Sequence, residues 1–269
     1  MPPGLCVSVF PSTSCWAQRA CLCCSLLRVH AFMRLRDRVR YATCRRSLLP
    51  PDIPPLYPRV WLSGKKEAPP GKVLLKFMQF NVLADGLSGE DPNKGGFKAA
   101  PPEALDWQFR RINLVREIFH QGVWPDVISM QEVDHYYDWF EPLLRQLGYD
   151  GTYVAKPNSM CKKLAPHSGL EDGCALFWRA DTVTVDKQKI ETINYDAYNA
   201  DGTRTGGKSN HVAILAVLQV EGAEPVTAAT THLMAAKTPE GEHVRAQQMG
   251  ELIRHLERHQ HACIVGLAH

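Results

Sequence analysis

Two polar residues, Glu132 and Asn81, stand at the ends of apolar segments, where α/β proteins usually place their chemistry. Glu132 follows the largely apolar segment 126–131, and Asn81 ends the largely apolar segment 73–80. Because such sheets bind ligands at the carboxyl ends of their strands, both side chains lie where a site is expected. A Glu carboxylate is a hard oxygen donor suited to Mg²⁺. The pair therefore predicts a metal and phosphate site.

Three further residues could add a proton or positive charge to such a site: His232, Lys156 and Arg245. His232 ends another apolar segment, and Arg245 lies in a segment of helical pattern. Each candidate also has an ordinary explanation, since Asn81 could form a turn, His232 could be a satisfied core histidine, and Arg245 could lie on a solvated helix face. Glu132 is the hardest to explain this way, because an unpaired buried carboxylate is costly.

The charge of the chain is unevenly distributed. The formal net charge is +3 over 269 residues, yet residues 1–50 hold eight Arg and one acidic residue. The remaining residues hold 23 basic and 27 acidic side chains and are mildly acidic. The expected folded part therefore lacks the broad basic surface that binds nucleic acid in bulk.

The first 50 residues differ from the rest in other ways too. They contain six of the nine cysteines, and the three left elsewhere do not suggest a disulfide framework. Their Arg-rich, acid-poor composition predicts either a mitochondrial or plastid transit peptide or a disordered extension. The protein is expected to be cytoplasmic unless a transit peptide directs it to an organelle. No segment reaches the ~18 apolar residues of a membrane span.

The rest of the chain divides into a linker and one domain. Residues 51–71 are Pro-rich and predict a linker, and 72–269 alternate between strand and helix patterns. This mixture predicts two packed mixed sheets flanked by helices. The predicted strands are 73–81, 126–133, 151–156, 173–178, 182–193, 211–220, 226–234 and 262–266, and the predicted helices are 101–120, 136–147 and 240–260.

Four motifs in order resemble a known family. They are Phe80-Asn81-Val82-Leu83-Ala84, Gln131-Glu132-Val133-Asp134-His135-Tyr136, Asp172-Gly173-Cys174-Ala175-Leu176-Phe177 and Thr231-His232-Leu233. Together they resemble the exonuclease–endonuclease–phosphatase superfamily, in its branch of nocturnin-like and carbon-catabolite-repressor-type deadenylases. The Asp134-His135-Tyr136 tail argues against two other branches, the apurinic endonucleases and the inositol-phosphate phosphatases.

The resemblance implies a four-layer α/β sandwich of the DNase-I-like type and Mg²⁺-dependent cleavage of phosphate esters. The implied substrates are the 3′ end of poly(A) RNA or the 2′-phosphate of NADP(H). Glu132 would hold the Mg²⁺, and Asn81 and His232 would act beside it at the phosphate. The implied substrate-binding residues are Lys156, Asn210 and Arg245.

The sequence also departs from the family pattern. The chain continues after Gly266 only with Leu267, Ala268 and His269, without the Gly-Asp-x-Asn and Ser-Asp-His motifs that the family carries. We therefore expect a C-terminally truncated, incomplete sandwich that is inactive as it stands; the alternative is a non-catalytic binding or regulatory module. Met234 and Ala236 also replace basic residues that relatives carry after the motif histidine.

Overall fold

The structure is a computed structural model that describes residues 6–10, 56, 73–92, 95–164 and 170–269. The side chains of 6–10 and of Gln121 are not among the parts described. The predicted transit peptide or disordered extension and the predicted linker, apart from residues 6–10 and Leu56, lie outside the described residues.

The first sheet is built from the first five strands of the described sequence. Its order is β1-β2-β3-β5-β4. The β1–β2 and β2–β3 pairs are parallel, whereas β3–β5 and β4–β5 are antiparallel. The strands are β1 Cys6–Phe10, β2 Leu74–Asn81, β3 Val127–Val133, β4 Tyr149–Ala155 and β5 Gly173–Arg179.

The second sheet is built around one long strand. Its order is β10-β9-β8-β6, and β7 also pairs with β8. The β9–β10 pair is parallel, and the pairs with β8 are antiparallel. The strands are β6 Val183–Val185, β7 Glu191–Tyr198, β8 Arg204–Val220, β9 Val226–His232 and β10 Ala262–Ala268.

Apolar side chains from both sheets form a shared core. In a strand, alternate side chains point to opposite faces, so each sheet contributes every second residue. Phe77 and Leu176 of the first sheet and Ile214 and Ala228 of the second belong to one cluster and are almost completely buried. This packing confirms the prediction of two mixed sheets.

One of the helices packs against the second sheet. The longest, α5, packs Leu252 and Leu256 against Ile193, Leu215 and Ala229 of the second sheet. The helices are α1 Pro102–Leu105, α2 Trp107–Ile118, α3 Glu141–Gln146, α4 Met160–Leu164 and α5 Pro239–Glu257. Among the helices of the described residues, none is long and apolar enough to cross a membrane.

The described residues fall into two compact units. The larger unit contains both sheets with α3, α4 and α5, and the smaller contains residues 88–124 with α1 and α2. Within the smaller unit, Phe109 and Phe119 are buried, and the rings of Phe119 and Trp124 lie 4.7 Å apart. Phe119 and Trp124 thus pack against each other within the smaller unit.

Two elements that the sequence predicted as continuous are each split in two, and in both cases the break is at an aspartate. The predicted helix 101–120 breaks at Asp106, whose extended backbone caps α2 by accepting a hydrogen bond from the Phe109 amide at 3.3 Å. The predicted strand 182–193 breaks at Asp186, which accepts from the Gln188 amide at 3.1 Å and starts a short turn. Asp favours such local bonds over a continuous ladder.

Candidate functional site

Asn81 and Glu132 lie side by side at the end of the first sheet. Strands β2 and β3 are parallel neighbours, and Asn81 stands opposite Gln131 in their register. The Asn81 side-chain nitrogen donates to Glu132 Oε1 at 2.6 Å, and Asn81 Oδ1 accepts from the Leu83 amide at 3.0 Å. The amide of Asn81 is therefore oriented by the turn after β2 and in turn orients the carboxylate.

The backbone of Glu132 has an unusual conformation. Its φ is 55°, in the left-handed region, and the pairing of β3 with β5 shifts register between Gln131 and Val133. Such a conformation costs a non-glycine residue about 1–2 kcal/mol. Strain of this kind concentrates at functional sites, where the surrounding structure holds it in place. The bulge gives Glu132 a direction that a regular strand would not.

Gln131, the neighbour of Glu132, ties the two sheets together beneath this bulge. Its side chain is completely buried. Gln131 Oε1 accepts from Gln79 at 2.6 Å, and its amide nitrogen donates to Ser129 Oγ at 2.9 Å and to Thr230 Oγ1 at 3.0 Å. A fully bonded buried network fixes a local arrangement firmly. Gln131 therefore anchors the strand that carries Glu132.

His232 reaches the same carboxylate from the second sheet. It ends β9, and its Nε2 lies 3.8 Å from Glu132 Oε1. Burial, reinforced by the nearby Lys156 ammonium, lowers the pKa of His232 to about 4. The ring is therefore neutral at physiological pH, and its contact with Glu132 is not an ion pair. Its Nδ1 is buried with no hydrogen-bond partner among the described residues.

Lys156 is paired with Asp172, which begins the third family motif but was not among the predicted site residues. Lys156 Nζ lies 2.7 Å from Asp172 Oδ2, and the Ser159 hydroxyl donates to Asp172 Oδ1 at 2.5 Å. Burial opposes both charges, but their mutual attraction outweighs it, so the pKa of Lys156 is raised and that of Asp172 is lowered. The pair stays ionised, and the positive charge of Lys156 is largely compensated.

Asn210 and His211 border the same region from β8. The Asn210 side chain bridges the backbone of Asn158, accepting from its amide at 2.7 Å and donating to its carbonyl at 2.9 Å. Burial, followed by Lys156 and His232, lowers the pKa of His211 to about 4. Sequence reasoning missed His211, although it sits next to a residue that the family resemblance pointed out.

Arg245 of α5 is bonded to the loop that follows β9. Its Nη1 donates to the carbonyls of Met234 at 2.8 Å and Ala236 at 2.7 Å, and its Nε donates to Glu242 at 3.0 Å. The structure thus brings Asn81, Glu132 and His232 into one cluster, whereas Arg245 is bound to backbone. Its predicted contact with substrate stays a prediction.

The donor set at Glu132 suits a hard divalent metal ion that keeps part of its water. In the part of the chain that the structure describes, no three His, Cys, Asp or Glu side chains stand together as a ready-made cage. Structural and catalytic zinc sites use three or four protein ligands. Mg²⁺ instead keeps several waters and takes one or two carboxylates together with phosphate oxygens. A single oriented carboxylate flanked by an amide suits Mg²⁺.

The fold and this cluster define a class of protein. Residues 78–266 match the Endonuclease/Exonuclease/phosphatase family, and the chain belongs to that family. This confirms the resemblance drawn from the four motifs.

Within the family, the chain is similar to nocturnin. It is 35% identical to human nocturnin over 205 residues, which are 76% of this chain and 44% of that protein. It is 39% identical to Xenopus laevis nocturnin over 183 residues, 68% of this chain and 43% of that protein. The chain thus spans less than half of the length of these relatives.

The fold is similar to a solved structure of the human nocturnin catalytic domain with a bound sulfate anion. The TM-score is 0.54 at 31% sequence identity, over 70% of this chain and 61% of that chain. The likeness supports the DNase-I-like fold that the resemblance implied.

Proposed function

We propose that this protein is a nocturnin-like phosphoesterase that depends on Mg²⁺. One observation carries the proposal: Asn81 and His232, from different sheets, meet the Glu132 carboxylate at 2.6 and 3.8 Å. A strained glutamate held between an amide and a neutral imidazole is not expected in an ordinary core. It is expected at a site that binds a metal ion and a phosphate.

Each residue has a distinct role in this proposal. Glu132 would hold the Mg²⁺, which polarises the phosphoryl oxygen when bound. Asn81 keeps the carboxylate in place through its side-chain amide. The neutral His232 can donate one N–H to a phosphate oxygen without adding charge, and the Lys156–Asp172 pair supplies a fixed, partly compensated dipole beside it.

We propose an adenosine phosphate as the substrate class, either the 3′ end of poly(A) RNA or the 2′-phosphate of NADP(H). Both present a phosphate ester on the ribose of an adenosine. The similarity to nocturnin supports this substrate class, and a solved structure of the human nocturnin catalytic domain holds a sulfate anion. Met234 and Ala236, which follow His232, carry no charge, so of the residues between His232 and α5 only Lys237 adds a cation for a multiply phosphorylated ligand.

A second proposal is a binding or regulatory module without turnover. The Asp and Asn that the resemblance expects after Gly266 are not among these 269 residues. General bases and charge-stabilising groups each contribute large factors to rate. A module of this kind would bind Mg²⁺ and phosphate but hydrolyse little.

Two assays on the purified 269-residue chain distinguish the proposals. Phosphate release from NADPH and shortening of an oligo(A) RNA are measured with and without Mg²⁺, alongside binding of adenosine 2′-monophosphate and 3′-monophosphate. Mg²⁺-dependent turnover lost in Glu132→Ala supports the enzyme, and binding without turnover supports the module. The absence of both Mg²⁺ and nucleotide binding would refute both proposals.

A further inference from the structure

We infer that Arg245 and Gln248 of α5 are positioning residues that fix the loop after His232, and so set where this imidazole meets a phosphate. The inference rests on the proposed function, because a phosphate site is what gives the position of His232 its importance. It also gives Arg245 a role other than direct contact with substrate.

Two side chains of α5 bind the backbone of this loop on both sides of Met234. Arg245 Nη1 donates to the carbonyl of Met234 at 2.8 Å and to that of Ala236 at 2.7 Å. Gln248 Oε1 accepts from the Met234 amide at 3.0 Å, and Gln248 is completely buried. The peptide groups on both sides of Met234 are therefore held by the helix within two residues of His232.

The start of α5 also packs closely against the loop. A Cβ at Gly241 would lie 2.2 Å from the Ala236 carbonyl oxygen, so only glycine permits this approach. Thr238 caps the helix by accepting from the Gly241 amide at 3.1 Å. Residues 235–238 are themselves exposed, so little else on the solvent side restrains them.

The other end of the loop is held by the second sheet. The Leu233 amide donates to the Ala268 carbonyl at 2.9 Å, and Leu233 is buried. His232 thus stands between a strand that fixes its N-terminal side and a loop that α5 fixes on its C-terminal side. Because hydrogen bonds are directional, a small turn of the ring changes how its N–H meets an anion. Supporting residues of this kind commonly change ligand affinity by about 10–100-fold.

The test follows the ring of His232 directly by NMR on the full chain with ¹³C-labelled histidine. The signal is assigned with His232→Gln, and inorganic phosphate with Mg²⁺ is the probe. We expect Arg245→Met and Gln248→Met to shift the His232 signal before phosphate is added and to weaken phosphate binding by about tenfold. Gln248→Glu, which keeps an oxygen acceptor for the Met234 amide, should restore both.

Arg254 offers a matched control on the same helix. It is exposed, so Arg254→Met removes one positive charge from α5 without touching the loop, and it should leave the His232 signal and the affinity unchanged. If Arg245→Met weakens binding while the free His232 signal stays in place, Arg245 contacts the anion directly and the inference is wrong. Unchanged His232 signals in both Arg245→Met and Gln248→Met also overturn it.

Failure of the proposed function gives a different result. The wild-type His232 signal would then not respond to phosphate, whereas the variants could still move it in the free protein. Thermal unfolding of each variant is recorded on the same samples. Arg245→Lys, which keeps the charge, replaces Arg245→Met if that variant does not fold, and it is expected to shift the His232 signal in the same direction.

Discussion

The Asn81 side-chain nitrogen lies 2.6 Å from Glu132 Oε1, although the two residues are 51 positions apart in the chain. The parallel pairing of β2 and β3 makes this contact, because it brings the ends of both strands to the same edge of the sheet. The hydrogen bond orients the carboxylate, as a metal ligand requires. The proposed function depends on this edge.

Replacing Glu132 by glycine should reveal the strain at this position. In an ordinary strand, glycine is about 0.5–1 kcal/mol less stable than alanine. At φ 55° the order should invert, with Glu132→Gly more stable than Glu132→Ala by about 1 kcal/mol. Urea unfolding of the two variants measures the difference. An alanine variant more stable than the glycine variant would show that the strand is not strained there.

Breaking the buried Lys156–Asp172 pair should destabilise the protein strongly. Lys156→Met leaves an uncompensated buried carboxylate, which typically costs about 3–5 kcal/mol. The double variant Lys156→Met with Asp172→Asn should lose much less than the sum of the two single variants. Denaturant unfolding of all four proteins gives the coupling.

The exposed pair between Lys162 and Glu171 is the control for this cycle. Its atoms lie 2.6 Å apart, as close as those of the buried pair, but both side chains face solvent. Lys162→Met should therefore cost less than about 1 kcal/mol. Equal losses for Lys156→Met and Lys162→Met would contradict the burial of the first pair.

The sequence predicted the part of the site that depends on strand ends. Apolar segments that stop at Asn81, Glu132 and His232 place three polar groups at sheet edges, and short-range patterns suffice to find them. The pairing of Lys156 with Asp172 could not be predicted in this way. It depends on the register of β4 and β5, which sets Ala155 opposite Gly173.

The local backbone conformation could not be predicted from the sequence either. The left-handed conformation of Glu132 depends on the pairing of β3 with β2 on one side and β5 on the other. A glutamate in the sequence does not predict such a conformation. The helix pattern around Arg245 was recognised, but which groups its guanidinium reaches depends on the path of the loop after β9. Two predicted elements failed at Asp106 and Asp186, because a single side-chain cap overrode a longer pattern.

His211 should make the protein less stable in acid. Its pKa is lowered to about 4 in the folded state from 6.5, so the unfolded state binds more protons between these values. The stability that the neutral ring allows is therefore lost as the pH falls from 6.5 towards 4, by about 3 kcal/mol in total. His211→Gln should flatten this part of the stability profile.

His243 provides the comparison for the pH experiment. It lies exposed on α5, so His243→Gln measures what the loss of a histidine from the surface does to the slope between pH 7 and 5. Thermal unfolding across this range measures both variants. The same slope for wild type and His211→Gln would mean that the ring of His211 is not buried as described.

Gly266→Ala should disrupt the contact between the two sheets. A Cβ there would lie 2.1 Å from Ser129 Oγ and 2.5 Å from Ser129 Cβ, with no flexible group to move aside. Overpacking of a core typically costs about 1–3 kcal/mol, and the bond from Ser129 to Thr230 would be lost as well. Gly207→Ala, at an exposed position of β8, is the control and should be nearly neutral. A wild-type midpoint of unfolding for Gly266→Ala would contradict this packing.

Calorimetric titration of Mg²⁺ into the 269-residue protein, with inorganic phosphate present, tests the central claim that Glu132 holds the metal. The wild type should bind one Mg²⁺, and Glu132→Gln, which keeps size and removes charge, should weaken binding at least about tenfold. Glu224→Gln removes an exposed carboxylate from the turn before β9, at the other end of that strand from His232, and should bind as the wild type does. Unchanged Mg²⁺ binding by a folded Glu132→Gln protein would contradict the account.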